Sequence, residues 1–226
     1  MAIPSVMLNF LFPPPPSLFV STMSVIGLTS LSSAGYMEIK GKHMQYSKFL
    51  NVGVVKKEDN TKLSSRNGML FSYTPAFLVG LASLLVFHDQ DLRFMLLASA
   101  LTAHFLKRVL EVLFLHKYSG SMLLESAIII SLSYTFSTAT MIYTQYLSKD
   151  FPEPLVDLKY IGTGLFVVGI IGNFYHHYLL ANLRKNGEKE YKIPQGGRSY
   201  ATREWYLSKF GDKFPKNVKA FIPYIF

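Results

Sequence analysis

Two stretches of this chain carry residues able to do chemistry. The first is HFLKRVLEVLFLHKYSG, His104–Gly120, in which His104, Lys107, Arg108 and Glu111 interrupt apolar sequence. On a helix Lys107 and Glu111 stand at i and i+4, neighbours on one face and a natural ion pair. A histidine, two cations and one carboxylate suit a diphosphate ligand; they also suit an internal salt bridge that lets a charged helix sit in a membrane. The second stretch is NFYHHYLLANLRKNGEKEYKIPQGG, Asn173–Gly197. Asn173 and His177 share a helical face at i and i+4, and Arg184 follows about two turns later. An amide, an imidazole and a guanidinium in line can hold a phosphorylated ligand, or can be the polar end of a helix reaching for water.

The elements that must position these groups are apolar helices. Ser17–Tyr36 is a first span near the ~20 residues that cross a bilayer, starting after the Pro13–Pro16 run. Met69–Phe87 is the second, with Pro75 expected in its first turns, where a missing donor is most easily tolerated. Leu92–Phe114 is the third and holds the charged group. Met122–Leu147 and Leu158–Leu183 are the fourth and fifth, joined by the polar linker Ser148–Asp157. Met37–Asn67 reads as a basic loop with a short paired segment, and Arg198–Phe226 as a basic, aromatic tail at the membrane interface. The expected fold is therefore all-α: a polytopic helical membrane protein of about five transmembrane helices with a basic interfacial C-terminal tail. Residues 1–67 form an anchor helix and basic loop, and 68–226 the membrane domain.

Composition agrees. Of 226 residues, 50% are hydrophobic, and the net charge of +9 gathers in Lys40–Arg66 and Arg184–Lys219 rather than along one face. That pattern marks topology, both basic segments being cytoplasmic, and gives no nucleic-acid footprint. Met1–Pro16, His88–Asp91 and Ser148–Asp157 then lie on the opposite side. Met1–Asn9 has no basic n-region, so the first helix is expected to stay as an anchor rather than to be cleaved. With no cysteine there is no disulfide framework, thiolate nucleophile or Cys-based metal site, and no metal is expected.

The order N-x3-H-x6-R-K-x-G-x3-Y-K-I-P-Q-G-G resembles the C-terminal domain of the steroid 5α-reductase family, membrane enzymes that reduce conjugated double bonds with NADPH. H-x2-K-R-x2-E-x-L-F-x-H, with His177, looks most like the very-long-chain trans-2-enoyl-CoA reductase branch. The resemblance implies hydride transfer from NADPH to the β-carbon of a double bond conjugated to a carbonyl, in an acyl-CoA or sterol lipid. Asn173, His177, Arg184, Tyr191 and Lys192 fall on its cofactor side, and Arg198 and Tyr206 match its last arginine and tyrosine there. His104, Lys107, Arg108 and Glu111 fall on its catalytic side. The steroid branch has a tyrosine after the histidine of span three, paired with a glutamate in span two; here Phe105 and Tyr73 stand in those places, so Tyr73 becomes the candidate acid. The family also implies an endoplasmic-reticulum membrane, with fatty-acid-elongation or sterol-pathway proteins as partners. One departure is large: where the family continues after P-Q-G-G into an aromatic segment and its last membrane helices, Gly197 runs directly into Arg198-Ser199-Tyr200. The resemblance thus implies either a reductase or an internally truncated, inactive member that serves as a membrane partner. A helical scaffold outside the family, its charges serving packing alone, is the third reading.

Overall fold

The computed structural model describes residues 7–40, 61–118 and 120–183. The chain is mostly helical: α1 (Leu18–Ile39), α2 (Ser65–Val86), α3 (Leu92–Leu110), α4 (Leu124–Leu147) and α5 (Lys159–Leu183), with a 3₁₀ turn at Met7–Asn9 and a π turn at Glu111–Leu115. By length and composition three of them, α1, α2 and α4, can cross a membrane. The expected five spans therefore appear as five helices, of which these three meet that measure; α3 carries Arg93, Lys107 and Arg108.

Small residues set the packing. Ser72, Ala76, Gly80 and Ser83 are buried along one stripe of α2, and Ala98 and Thr102 on α3, so helix backbones approach closely. A methyl group on Gly80 would lie 2.6 Å from Thr102 Oγ1 and 3.2 Å from Thr102 Cα. The backbone atom cannot swing aside, so Gly80→Ala is expected to force α2 and α3 apart and cost about 1–3 kcal/mol. Unfolding of the purified protein in graded denaturing detergent checks this; an unshifted midpoint would mean that the contact is soft.

Helix α2 begins earlier than its apolar run suggests. Ser64 caps it, its hydroxyl accepting from Asn67 N at 3.2 Å, and this places Pro75 in mid-helix rather than in the first turns. Proline has no N–H for the carbonyl four residues back, that of Phe71. Ser131 Oγ, from α4, donates to Phe71 O at 3.0 Å instead, so the break in one helix becomes a tie to another.

The expected paired segment is present. Lys62–Ser64 (β1) pairs antiparallel with Ser121–Leu123 (β2), with Leu63 opposite Met122. This ribbon adds a small β element to the all-α expectation and joins the start of α2 to the start of α4. Arg66 Nη2 donates to Leu113 O in the π turn at 2.9 Å, which ties the same end to α3.

At the opposite end Arg93 bonds both Glu153 and Asp157, the latter at 2.9 Å, and stacks over Phe12 at 4.9 Å, while Val156 N donates to Asn9 O at 2.9 Å. The N-terminal segment, the start of α3 and the linker before α5 thus share one end, the arrangement that the charge pattern implies. Hydrogen bonds from the Lys159 backbone and side chain hold the Asp157 carboxyl down at about 2.

Candidate active site

The charged group lies at the ribbon end, where α2, α3 and α5 meet. Glu111, its side chain 2% exposed, is the centre. It follows α3 directly, so Lys107 and Arg108 reach it from the preceding turn: Lys107 Nζ stands 2.9 Å from Oε1 and Arg108 Nη1 2.7 Å from Oε2. The lysine alignment falls short of a hydrogen bond to Oε1, the ammonium being turned to donate to Asn173 Oδ1 of α5 at 2.6 Å. From one turn further along α5, His177 Nδ1 meets Glu111 Oε2 at 2.9 Å. A tautomer with the proton on Nδ1 donates to Glu111 and leaves Nε2, 3.3 Å from Arg108 Nη1, to accept from the guanidinium.

Arg108 also faces α2. Its Nη2 donates to Tyr73 Oη at 2.7 Å, and its guanidinium carbon lies 4.7 Å from the centre of the Tyr73 ring. Tyr73 is buried with Ala76, Phe105 and Val112. Six residues singled out in the sequence therefore come together: Tyr73, Lys107, Arg108, Glu111, Asn173 and His177. His104 stands one turn earlier on α3, edge-on to Phe105, and takes no part in the ion-pair network among the described residues. Arg184, Tyr191, Lys192, Arg198 and Tyr206 lie outside the described residues.

The sequence reading ends the third span at Phe114 and gives His116 no role, and the structure brings it into the site. The π turn ends with His116 N donating to Glu111 O, five residues back, at 2.7 Å. The wider turn swings the His116 ring to 4.8 Å from that of His177, with Nε2 3.9 Å from Glu111 Oε2. Burial first, then the His177 and Arg108 charges, press the His116 imidazole down to about 4, so it is neutral near pH 7. Glu111, His116 and His177 thus bring three metal-type ligand atoms within 4.8 Å of one another. Arg108 Nη1, 2.7 Å from Glu111 Oε2 and 3.0 Å from His177 Nδ1, already stands among them, so a divalent ion would have to displace a guanidinium. The final histidine of H-x2-K-R-x2-E-x-L-F-x-H was the available signal for His116; an α-helical register does not bring it back to Glu111.

Fold and site together define a class, a mostly helical protein with membrane-span-length helices and a buried cationic network at one end. Residues 124–200 match the family model described as 3-oxo-5-alpha-steroid 4-dehydrogenase, the domain of the steroid 5-alpha-reductase family. Its relatives are steroid 5-alpha-reductases and very-long-chain enoyl-CoA reductases. It is 26% identical over 164 residues to a very-long-chain enoyl-CoA reductase of Dictyostelium discoideum, covering 54% of this chain and 55% of the relative. To a steroid 5-alpha-reductase of Gossypium hirsutum it is 31% identical over 107 residues, 29% of this chain and 42% of the relative. To 3-oxo-5-alpha-steroid 4-dehydrogenase 1 of Homo sapiens it is 29% identical over 108 residues, 29% of this chain and 41% of the relative. The chain spans about half the length, or less, of these curated relatives.

Proposed function

We propose that this chain is built to reduce a carbon–carbon double bond conjugated to a carbonyl in a membrane lipid substrate, an enoyl-CoA or a 3-oxo-steroid, with NADPH as reductant. The observation that carries the reading is the hydrogen bond from Arg108 to Tyr73 Oη, inside a network that holds more cation than anion. Lys107 and Arg108 face the single carboxylate of Glu111, which leaves one net positive charge before either histidine is counted. A buried surplus of charge is costly unless a ligand balances it. The phosphates of a dinucleotide and the oxygen of a reacting carbonyl are both suitable partners, so the donor set fits NADPH.

NADPH, when bound, supplies the hydride for the β-carbon. The chain supplies the proton and the field. Because Tyr73 Oη accepts from Arg108, its own O–H is left to donate, and in this reading it donates to the carbonyl oxygen as negative charge builds there. Glu111 and His177 hold Nη1 of the same guanidinium, so Arg108 stays in place as that charge develops. Asn173, its Oδ1 taken by Lys107, keeps its amide N–H groups for the cofactor. Arg184, Tyr191, Lys192, Arg198 and Tyr206 complete the cofactor contacts, and His104 supports the wall beside Phe105. An endoplasmic-reticulum membrane, and partners in fatty-acid elongation or sterol metabolism, belong to the same reading. The H-x2-K-R-x2-E-x-L-F-x-H stretch and His177, which resemble the enoyl-CoA reductase branch, favour an enoyl-CoA substrate over a steroid.

A second reading, an internally truncated and inactive member, is favoured by one observation. The alignment with the Dictyostelium discoideum relative runs over 164 residues, but 54% of this chain is only about 122, so some 42 residues of the relative face a gap. Calorimetric titration of the purified protein with NADPH separates the two. The first reading expects binding that Arg184→Ala and Arg198→Ala each weaken by about 1.5–3 kcal/mol, one lost charged hydrogen bond. Folded protein that binds no NADPH, yet binds once the relatives' segment is restored after Gly197, establishes the second.

A further inference from the structure

The hydrogen bond from Arg108 fixes where the Tyr73 oxygen sits and leaves open where its proton points. A phenolic O–H lies in the plane of its ring. The oxygen lies on the axis about which the ring turns, so rotation of the ring redirects the proton without moving the oxygen or lengthening the bond from Arg108. The Arg108 guanidinium lies over that ring, 4.7 Å from its centre, and a flat group stacked on the ring is needed as well to fix its plane.

Tyr134, from α4, is placed to do so. Its ring is stacked on that of Tyr73, with centroids 5.6 Å apart and planes within 22°, and Phe105 of α3 braces it at 5.5 Å. Phe105 is 5% exposed and Tyr73 7%, so neither ring has room to follow a neighbour that moves. The placement of Tyr134 follows from Pro75. The carbonyl that proline frees, Phe71 O, is taken by Ser131 Oγ, and Tyr134 stands one helical turn beyond Ser131, as Tyr73 stands two residues beyond Phe71. The tie between helices and the stacking of the two rings are parts of one contact between α2 and α4.

We propose that Tyr134 is the positioning residue of this site: by stacking on Tyr73 it sets the plane in which that phenol presents its proton. Nothing in the sequence motifs marks Tyr134, and the inference rests on the reading of Tyr73 as proton donor. Its active feature is the flat face rather than the hydroxyl, so phenylalanine serves in its place and an aliphatic side chain does not.

The test uses 3-fluorotyrosine placed at Tyr73 of the full chain in lipid nanodiscs, read by fluorine NMR. The unaltered chain and Tyr134→Phe are expected to give the same narrow resonance. Tyr134→Leu is expected to broaden it and move it towards the position of unrestrained fluorotyrosine, while a probe at Tyr143, which packs edge-on to Phe19, keeps its shift and reports an intact fold. Should leucine disturb the Tyr143 probe, Tyr134→Met keeps the volume without the face. A Tyr73 resonance unmoved in the aliphatic variants overturns the proposal, as does a displacement that Tyr134→Phe fails to reverse. Failure of the donor reading has a different signature, normal turnover in Tyr73→Phe, which the resonance does not touch.

Discussion

Glu111→Ala is expected to destabilise the protein by about 3–5 kcal/mol, the usual cost of leaving a buried partner without its counter-charge. Here two partners lose it at once. Lys107 and Arg108 are 15% and 16% exposed, and both are ion-paired with Glu111 from the turn before it. His177 loses its acceptor in the same step, so α5 loses its tie to the π turn and keeps those to α3, from Asn173 to Lys107 and from His177 to Arg108. Unfolding in graded denaturing detergent, with α-helix content as the signal, gives the size of the loss. A loss below about 1 kcal/mol would mean that water or lipid headgroups already solvate the two cations. The triple replacement Lys107→Met, Arg108→Leu, Glu111→Leu should be close to neutral in the same assay, because an apolar group of similar volume removes charge and counter-charge together. Retained stability with lost ligand binding in that variant would show that the network serves the ligand rather than the fold.

Tyr73→Phe is expected to lower turnover roughly 10²–10³-fold, the cost of one donor aimed at a developing oxyanion. Cofactor affinity should stay as it is, because the phosphate-type donors sit on α3 and α5 while Tyr73 sits on α2. The change is small in packing terms: Phe keeps the contacts with Ala76, Phe105 and Val112 and forfeits only the bond from Arg108. Pre-steady-state reduction of a trans-2-enoyl-CoA, measured on the chain and on its counterpart with the relatives' segment restored after Gly197, is the assay. Normal turnover in Tyr73→Phe would return this tyrosine to packing and leave the proton donor to be found elsewhere. Loss of NADPH affinity in the same variant would instead place Tyr73 on the cofactor side.

The parts of the site that were legible in the sequence are those that one helix specifies. Lys107 and Glu111 follow from i, i+4 spacing, and so does the common face of Asn173 and His177. Which faces meet is a property of helix packing, and periodicity carries no information on it. For that reason Arg108, one position from Lys107, gave no sign that it would join α2, α3 and α5, and Tyr134 gave no sign at all. The position of Pro75 was misjudged because the apolar run begins at Met69 while the helix begins at Ser65, under a serine cap of four polar or small residues. The ribbon strands are three residues each, too short for an alternating pattern to register, and only their pairing across 56 intervening residues makes them strands. The π turn has no propensity signal, since it differs from α-helix by one residue in the hydrogen-bond count.

That single residue has an evolutionary aspect. A π turn is an α-helix that has accepted an insertion without losing its axis. Taking one residue out of Glu111–Leu115 would restore ordinary winding and turn everything after it by about 100°, one residue's share of a helical circle. His116 would leave the face of Glu111 and His177, and the strand beginning at Ser121 would arrive at β1 out of step. The lower half of this site is therefore written in the number of residues in the turn as much as in their identities. A point substitution within the turn and a one-residue deletion there are different kinds of lesion, and a descendant chain can lose the cluster while every one of its side chains survives.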